Sequence, residues 1–233
     1  MFQLTALLCL FSVSVHAADP LWDQGLTSLQ EGKSADAVSA FEQWMANAGE
    51  AGRRSRAAHH NLALAYSHFS DWGPTVYHLA TAAILGWPWE LWARASDLSR
   101  IQHHLLIQNP VSHDWRFLLR PFARPASLWV CLAVGFWLFF FGVLWRKRVW
   151  CGFATVPLLL AAAVHWGAPA FPRYAVVLEA PGISLKESPE GKVLVDLKPG
   201  ALVALGETRG AYVYLTAPFA GWAEERYLKP LEF

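Results

Sequence analysis

Two long apolar runs joined by three basic residues constrain this chain more than any other feature. Residues 126–145 (ASLWVCLAVGFWLFFFGVLW) form an uncharged run of 20 residues, which as a helix would be about 30 Å long at about 1.5 Å per residue. That length matches the hydrocarbon core of a bilayer. Arg146, Lys147 and Arg148 follow, and residues 149–168 again contain no Asp, Glu, Lys or Arg. The pattern predicts a transmembrane helical hairpin rather than a buried soluble one.

Tryptophans near the ends of both runs support this prediction, because these rings favour the two headgroup levels of a membrane. They are Trp129, Trp145, Trp150 and Trp166. The absence of acidic and basic side chains inside the runs indicates an anchor rather than an ion pathway. The short basic turn is expected on the cytoplasmic side. The sequence therefore predicts a two-pass protein of a bacterial inner (cytoplasmic) membrane, with both flanking parts periplasmic or extracytoplasmic.

The N-terminal residues predict an export signal. Residues 1–18 contain a short apolar run, and either Val15-His16-Ala17 or His16-Ala17-Ala18 fits the small-residue pattern typical of cleavage sites. Because no Lys or Arg precedes the run, an uncleaved anchor is the alternative. Cys9, Cys131 and Cys151 all lie in or beside apolar runs, so the flanking parts have neither a disulfide framework nor a CxxC site.

Charge excludes one class of partner. Residues 19–125 and residues 173–233 each carry a formal net charge of −1. A protein that binds nucleic acid by neutralising phosphates needs a clustered excess of Lys and Arg. We therefore expect no nucleic acid among the partners.

Residues 19–108 predict tetratricopeptide-like helical repeats, in which small residues let two antiparallel helices approach and an aromatic ring fills the gap. The first copy has these residues at Gly25, Gly32, Ala37 and Phe41. The second copy has Ala63, Ser70, Thr75 and Leu79 at the corresponding positions, and Tyr66 supplies its aromatic ring. Asn109-Pro110 breaks the pattern, and residues 109–125 are expected to form a juxtamembrane segment with one short helix.

Residues 173–233 predict a small all-β barrel, because short segments with β-branched or alternating residues are separated by turns rich in Gly and Pro. The predicted strands are Tyr174–Leu178, Ile183–Lys186, Val193–Leu197, Leu202–Leu205 and Tyr212–Leu215. The segment Gly221-Trp222-Ala223, followed by Tyr227-Leu228, is similar to the closing segment of bacterial SH3-like domains. The whole chain is thus expected to be a multidomain membrane protein with all-α repeats, a two-helix hairpin and an SH3-like barrel.

This order of parts resembles the BatE-type proteins of aerotolerance operons. The resemblance implies a membrane-anchored scaffold of the cell envelope that works beside von Willebrand A-domain membrane proteins and a MoxR-type ATPase. It implies partner binding through outward-facing helical repeats and the barrel. The alternative from the same parts is an envelope-sensing module whose barrel binds peptidoglycan.

Motifs for catalysis are absent from the sequence, which has no glycine-rich phosphate loop, HExxH or GxSxG. We therefore predict no catalytic residue, no metal ligand and no cofactor. His59-His60 and His103-His104 invite a metal site, but neighbouring residues of a helix point about 100° apart and cannot chelate alone. Packing or solvent-exposed histidines are the expectation. Glu224-Glu225 is expected to be a surface pair for the same reason.

Five residues are candidates for partner binding. Asn61 lies on the first helix of the second repeat, where an amide could bind a peptide backbone, and a packing or capping role is the alternative. The others are the aromatic residues Tyr212, Tyr214, Trp222 and Tyr227, which could line a ligand groove or fill the core. Glu224 stands where eukaryotic SH3 domains have a proline, which disfavours proline-rich ligands.

Overall fold

The computed structural model describes residues 19–86, 96–103, 105, 115–119, 132–137, 139–140, 159, 162–163, 172–178 and 182–231. Helices come first in the chain and strands last. The helices are α1 (Pro20–Gln30), α2 (Ser34–Asn47), α3 (Gly49–Arg53), α4 (Arg56–Ser67), α5 (Trp72–Leu85) and α6 (Trp115–Leu119), with a further helical segment at 96–103. The strands are β1 (Arg173–Val177), β2 (Ile183–Lys186), β3 (Val193–Leu197), β4 (Leu202–Arg209), β5 (Tyr212–Ala217), β6 (Gly221–Glu224) and β7 (Leu228–Pro230).

Helices α1 and α2 pack closely because Gly25 leaves room for an aromatic ring. A Cβ atom at Gly25 would lie 2.7 Å from the ring of Phe41, which is fully buried. The ring of Trp22 meets that of Phe41 edge-on, with 5.3 Å between the centroids. Helix α1 starts at a defined residue, since the Asp19 side chain accepts a hydrogen bond from the Leu21 backbone N–H at 3.0 Å.

Helix α5 is buried on every side between Thr75 and Ile84. A helix without a solvent face needs neighbours all round, and α5 has α4 on one side and strand β1 on the other. Its residues Val76 and Leu79 share one core cluster with sheet residues, of which Tyr174 and Val176 are fully buried. The helical layer and the sheet therefore enclose a common core.

The seven strands form one antiparallel sheet in the order β3-β2-β6-β5-β4-β1-β7. Strand β1 pairs with β4 through Val176 opposite Leu202, and with β7 through Val177 opposite Leu228. A second core cluster fills the inner side of the sheet, with Leu185, Leu215 and Ala223 among its members.

Two glycines allow the first turn of α5 to lie directly on the sheet. A Cβ atom at Gly73 would be 2.5 Å from the carbonyl oxygen of Leu178. A Cβ atom at Gly200, whose φ is +85°, would be 2.8 Å from the carbonyl oxygen of Trp72. Only a residue without a side chain permits contacts this short between backbones.

A buried amide joins the helical segment 96–103 to the same edge of the sheet. The Gln102 side chain is 0% exposed. Its Nε2 donates to the carbonyl oxygen of Gly200 at 2.6 Å, and its Oε1 accepts from the Leu202 N–H at 3.3 Å. Gln102 thus satisfies backbone groups where β4 begins, as buried polar groups require.

The predicted membrane topology is wrong. In the described part of the chain no helix is long and apolar enough to cross a membrane. The longest described helices, α2 and α5, have 14 residues each, whereas a spanning helix needs about 20. The transmembrane hairpin and the two-pass localisation in an inner membrane are corrected accordingly. Most of residues 126–145 and 149–168, residues 1–18, and residues 109–125 outside α6 lie beyond the described residues.

The predicted fold class is also wrong, because the chain folds as an α/β arrangement and not as separate all-α and all-β parts. The helix pairs α1–α2 and α4–α5 occur where the spacing placed them. However, α5 packs against the sheet, and a tetratricopeptide array has no support. The closed SH3-like barrel is replaced by a seven-stranded sheet in which β3 and β7 stand at opposite ends of the strand order.

Candidate partner-binding face of the sheet

Strand register places two cations and three aromatic rings on one face of the sheet. Trp222 lies opposite Tyr214 on one side and opposite Lys186 on the other. Tyr212 lies opposite Arg209 on one side and opposite Glu224 on the other. Directly opposed residues share a face, and residues two apart in a strand do so as well. We call these five residues the aromatic–cationic face: Lys186, Arg209, Tyr212, Tyr214 and Trp222.

The side chains of this face are stacked on one another. The Arg209 guanidinium lies 5.1 Å from the centroid of the Trp222 ring, and the Lys186 ammonium lies 5.6 Å from the Tyr212 centroid. Tyr214 meets Trp222 edge-on, with 5.4 Å between the ring centroids. These are cation–π and aromatic pair geometries.

Trp222 is the centre of the arrangement. It is only 7% exposed, although it belongs to none of the core clusters and its neighbour Ala223 is the one that turns inward. The cover over its ring therefore comes from the outer side, where Arg209 and Tyr214 contact it.

Two arginines lie near the rim of the face, one in a long salt bridge and one in a short salt bridge. Arg209 Nη2 lies 3.8 Å from Glu207 Oε1, and Arg226 Nε lies 2.8 Å from Glu224 Oε2. Both arginines are at least 70% exposed, and exposed pairs of this kind contribute only about 0–1 kcal/mol. Arg209, whose contact is the longer one, is therefore available to another carboxylate at small cost.

A β-bulge extends the face with apolar side chains. Leu185 lies opposite Val195 and Lys186 lies opposite Val193, so Leu194 is an extra residue in β3. Bulges redirect side chains and are common at sheet edges. Val193 and Leu194 are each 55% exposed, and β3 has only one neighbouring strand among those described. An apolar border next to Lys186 results.

The structure brings three of the five sequence-predicted site residues together, namely Tyr212, Tyr214 and Trp222. Tyr227 lies elsewhere, in a single 3-10 turn (Glu225–Tyr227), where it packs partly against the core. Asn61 is half-buried on α4 in the helical layer. Lys186 and Arg209 were missed by the sequence analysis. In β2 the apolar residues Ile183 and Leu185 are buried and alternate with polar residues. This alternation would have predicted that Lys186 faces outward.

Two buried histidines form a second polar feature, in the helical layer. His59 Nε2 donates to the carbonyl oxygen of Arg53 at 2.9 Å, and the Nδ1 atoms of His59 and His78 are 2.8 Å apart. A neutral His59 therefore accepts at Nδ1 from the Nδ1–H of His78. Tyr66 stacks on His78 with 6° between the planes, and its hydroxyl donates to Glu42 at 2.6 Å. His59 is thus a packing histidine, as one sequence alternative held.

Burial keeps both rings uncharged. It lowers the pKa of His78 to about 3, helped by His59 and the Lys229 ammonium. Burial also lowers the pKa of His59, and the positive charge of Lys229 lowers it further. The hydrogen bond to the Arg53 carbonyl acts in the opposite direction but is the weaker influence. Nitrogen ligands of one tetrahedral zinc would be roughly 3.4 Å apart, given Zn–N bonds of about 2.0–2.1 Å. The spacing of 2.8 Å is that of a hydrogen bond.

A metal centre finds no further support in the described ranges, where no three His, Cys, Asp or Glu side chains are grouped as ligands. Comparison of the chain with protein-family models, curated proteins and solved structures found no match. Function is therefore inferred from the geometry of the chain itself, and the aromatic–cationic face combines aromatic rings, cations and an apolar border.

Proposed function

We propose that this protein is a binding protein rather than an enzyme, and that it holds a segment of a partner protein on the aromatic–cationic face. The observation that carries the proposal is Trp222, which points away from the core and is covered by Arg209 and Tyr214. Trp, Tyr and Arg are the residues that contribute most to protein–protein interfaces. A ring already packed beneath them loses little conformational entropy on binding.

The chemistry of the face favours a partner segment with both acidic and apolar side chains. A carboxylate that approaches Arg209 replaces the loose contact with Glu207 at 3.8 Å and can form a two-pronged hydrogen-bonded pair. Lys186 offers a second cation, which has no ion pair within the part of the chain that the structure describes. Apolar side chains of the partner pack on Val193 and Leu194 at the edge of the sheet.

The identity of the partner stays a prediction. The sequence resemblance suggests a von Willebrand A-domain protein and a MoxR-type ATPase as the first purified probes. Peptidoglycan is the alternative ligand, and purified sacculi are the probe that distinguishes it. Binding to sacculi that depends on the same five side chains, without binding to either protein, would replace a protein partner by the cell wall.

Photocrosslinking tests the proposal in the full chain. We expect p-benzoylphenylalanine at position 214 to form a discrete crosslink with the partner, and the same group at position 69 to form none. Phe69 is a fair control because it is 52% exposed and belongs to the helical layer. Equal crosslinking from both positions would contradict the proposal.

A pair of arginine variants provides the matched control. Arg209→Glu is expected to abolish the crosslink from position 214, because it reverses the charge over Trp222. Arg226→Glu makes the same chemical change at another exposed arginine that lies over an aromatic ring, 4.5 Å from the Tyr227 centroid. The crosslink should survive this second change. Loss of the crosslink in both variants, or in neither, would count against the aromatic–cationic face.

A further inference from the structure

A cleft lies where the helical layer meets the sheet, away from the aromatic–cationic face. Its volume is about 390 Å³, within the range of about 300–1,000 Å³ that small-molecule sites occupy. We call it the junction cleft. Its lining combines four apolar side chains with two opposite charges, and these residues are Trp72, Leu105, Leu178, Pro199, Asp71 and Lys198.

The walls of the junction cleft are fixed in place before any ligand arrives. Gly73 and Gly200 bring the start of α5 into backbone contact with the sheet on one side. The Gln102 side chain donates a hydrogen bond to the carbonyl oxygen of Gly200 and so fixes this part of the wall. Ser70, which also lines the cleft, has a φ of +56°, a left-handed conformation that side-chain-bearing residues rarely adopt. Strain of this kind concentrates at functional sites.

Both charged groups of the cleft lack a partner within the described residues. Asp71 occupies the position before α5, yet its side chain accepts no capping hydrogen bond, unlike Asp19 before α1. The ammonium of Lys198 forms no ion pair among the described residues, and it does not pair with Asp71. Two opposite charges without an ion pair, one before helix α5 and one in the turn between β3 and β4, therefore flank an apolar floor.

We infer that the junction cleft binds an apolar α-amino acid. The ammonium of the ligand pairs with Asp71 and its carboxylate pairs with Lys198. Its side chain covers Trp72, Leu105 and Leu178, which explains why the floor is apolar. The inference goes beyond the proposed partner binding and depends on none of its residues, so either can fail alone.

Calorimetric titration of the full chain with three related ligands tests the inference. L-phenylalanine carries both charges, N-acetyl-L-phenylalanine lacks the ammonium, and L-phenylalaninamide lacks the carboxylate. We expect the first to bind at millimolar concentrations or below, and each of the others to bind about fivefold more weakly, since a partly exposed ion pair contributes up to about 1 kcal/mol. Absence of binding by L-phenylalanine would overturn the inference.

Two variants assign the charges. Asp71→Asn should weaken L-phenylalanine about fivefold and leave N-acetyl-L-phenylalanine unchanged, because that ligand has no ammonium to lose. Lys198→Met should weaken L-phenylalanine and leave L-phenylalaninamide unchanged. Asp36→Asn and Lys192→Met are exposed controls elsewhere and should change nothing. If both cleft variants weaken all three ligands equally, or none of them, the proposed orientation is wrong.

Discussion

The buried histidine pair predicts that this protein loses stability in mild acid. His78 has a pKa lowered from 6.5 to about 3, so the unfolded chain takes up a proton more readily than the folded one. Stability from this group is therefore complete above about pH 6.5 and is lost as the pH falls from 6.5 towards 3. Protonation of His78 at Nε2 would place a charge in a buried site. Protonation of His59 would place hydrogens on both Nδ1 atoms, which are 2.8 Å apart, and break their bond.

The magnitude follows from the two pKa values. Between about pH 7.5 and about pH 5.5 the loss from His78 alone is about 1.4 kcal/mol, because at the lower pH roughly ten unfolded molecules in eleven carry the extra proton. This figure is nearly the same for any folded pKa below about 4.5. The lowered pKa of His59 adds to the loss in the same direction. The groups that face the pair do not offset it, since Tyr66 and Tyr77 are uncharged there and Lys229 is a cation.

Urea unfolding at the two pH values, followed by circular dichroism, measures the effect. We expect the free energy of unfolding of the wild-type protein to fall by at least about 1.4 kcal/mol. His78→Phe keeps a ring against Tyr66 but cannot titrate. At about pH 7.5 this variant should be less stable than the wild-type protein by about 1–3 kcal/mol, because the Nδ1 of His59 loses its hydrogen-bond donor. Its free energy of unfolding should change less between the two pH values than that of the wild-type protein.

His68→Gln is the control for that experiment, because His68 is exposed at the end of α4. It should retain the full acid-induced loss of the wild-type protein. If His78→Phe and the wild-type protein lose equal amounts of stability between the two pH values, the buried pair is not the cause and the reasoning is refuted.

Three further substitutions test the packing, each by urea unfolding. Gly25→Leu should destabilise by about 1–3 kcal/mol, because the new side chain meets the ring of Phe41; no loss of stability would mean that α1 and α2 are not in close contact. Gln102→Leu should cost about 2–4 kcal/mol, since it leaves the carbonyl of Gly200 and the N–H of Leu202 buried without partners. A neutral result there would disprove the amide bridge. Ser70→Gly should stabilise by roughly 0.5–1 kcal/mol by relieving a positive φ, and a loss of stability would show that no strain exists at this turn.

Local sequence patterns predicted the individual elements well. Strands β2 (Ile183–Lys186) and β3 (Val193–Leu197) were predicted with the bounds that the structure has, because alternation and Gly or Pro turns are encoded within a few residues. The turn between α1 and α2 follows from Gly32, whose φ is +74°. The structure places Tyr212, Tyr214 and Trp222 on one face of the sheet, and their role in partner binding stays a prediction.

The way the elements pack could not be predicted from those patterns. Helix α5 is buried on all sides, and its sequence does not reveal that the second covering layer is a sheet located about 90 residues further along the chain. The pair His59–His78 depends on the register between α4 and α5, which no motif marks. The length of the two apolar runs and their lack of charge predicted spanning helices. These two properties show how apolar a segment is, but they do not determine the length of a helix. In the described part of the chain no helix is long and apolar enough to cross a membrane.

The bridge made by Gln102 has a consequence for how the molecule comes apart. It connects positions separated by 98 and 100 residues, and the surfaces behind it are apolar on both sides. Separating the N-terminal and C-terminal halves would expose Val76 and Val176 to water at once. A fragment that begins at residue 173 is therefore expected to precipitate, and a single sharp melting transition should describe the intact protein, with no stage at which one half stands folded without the other.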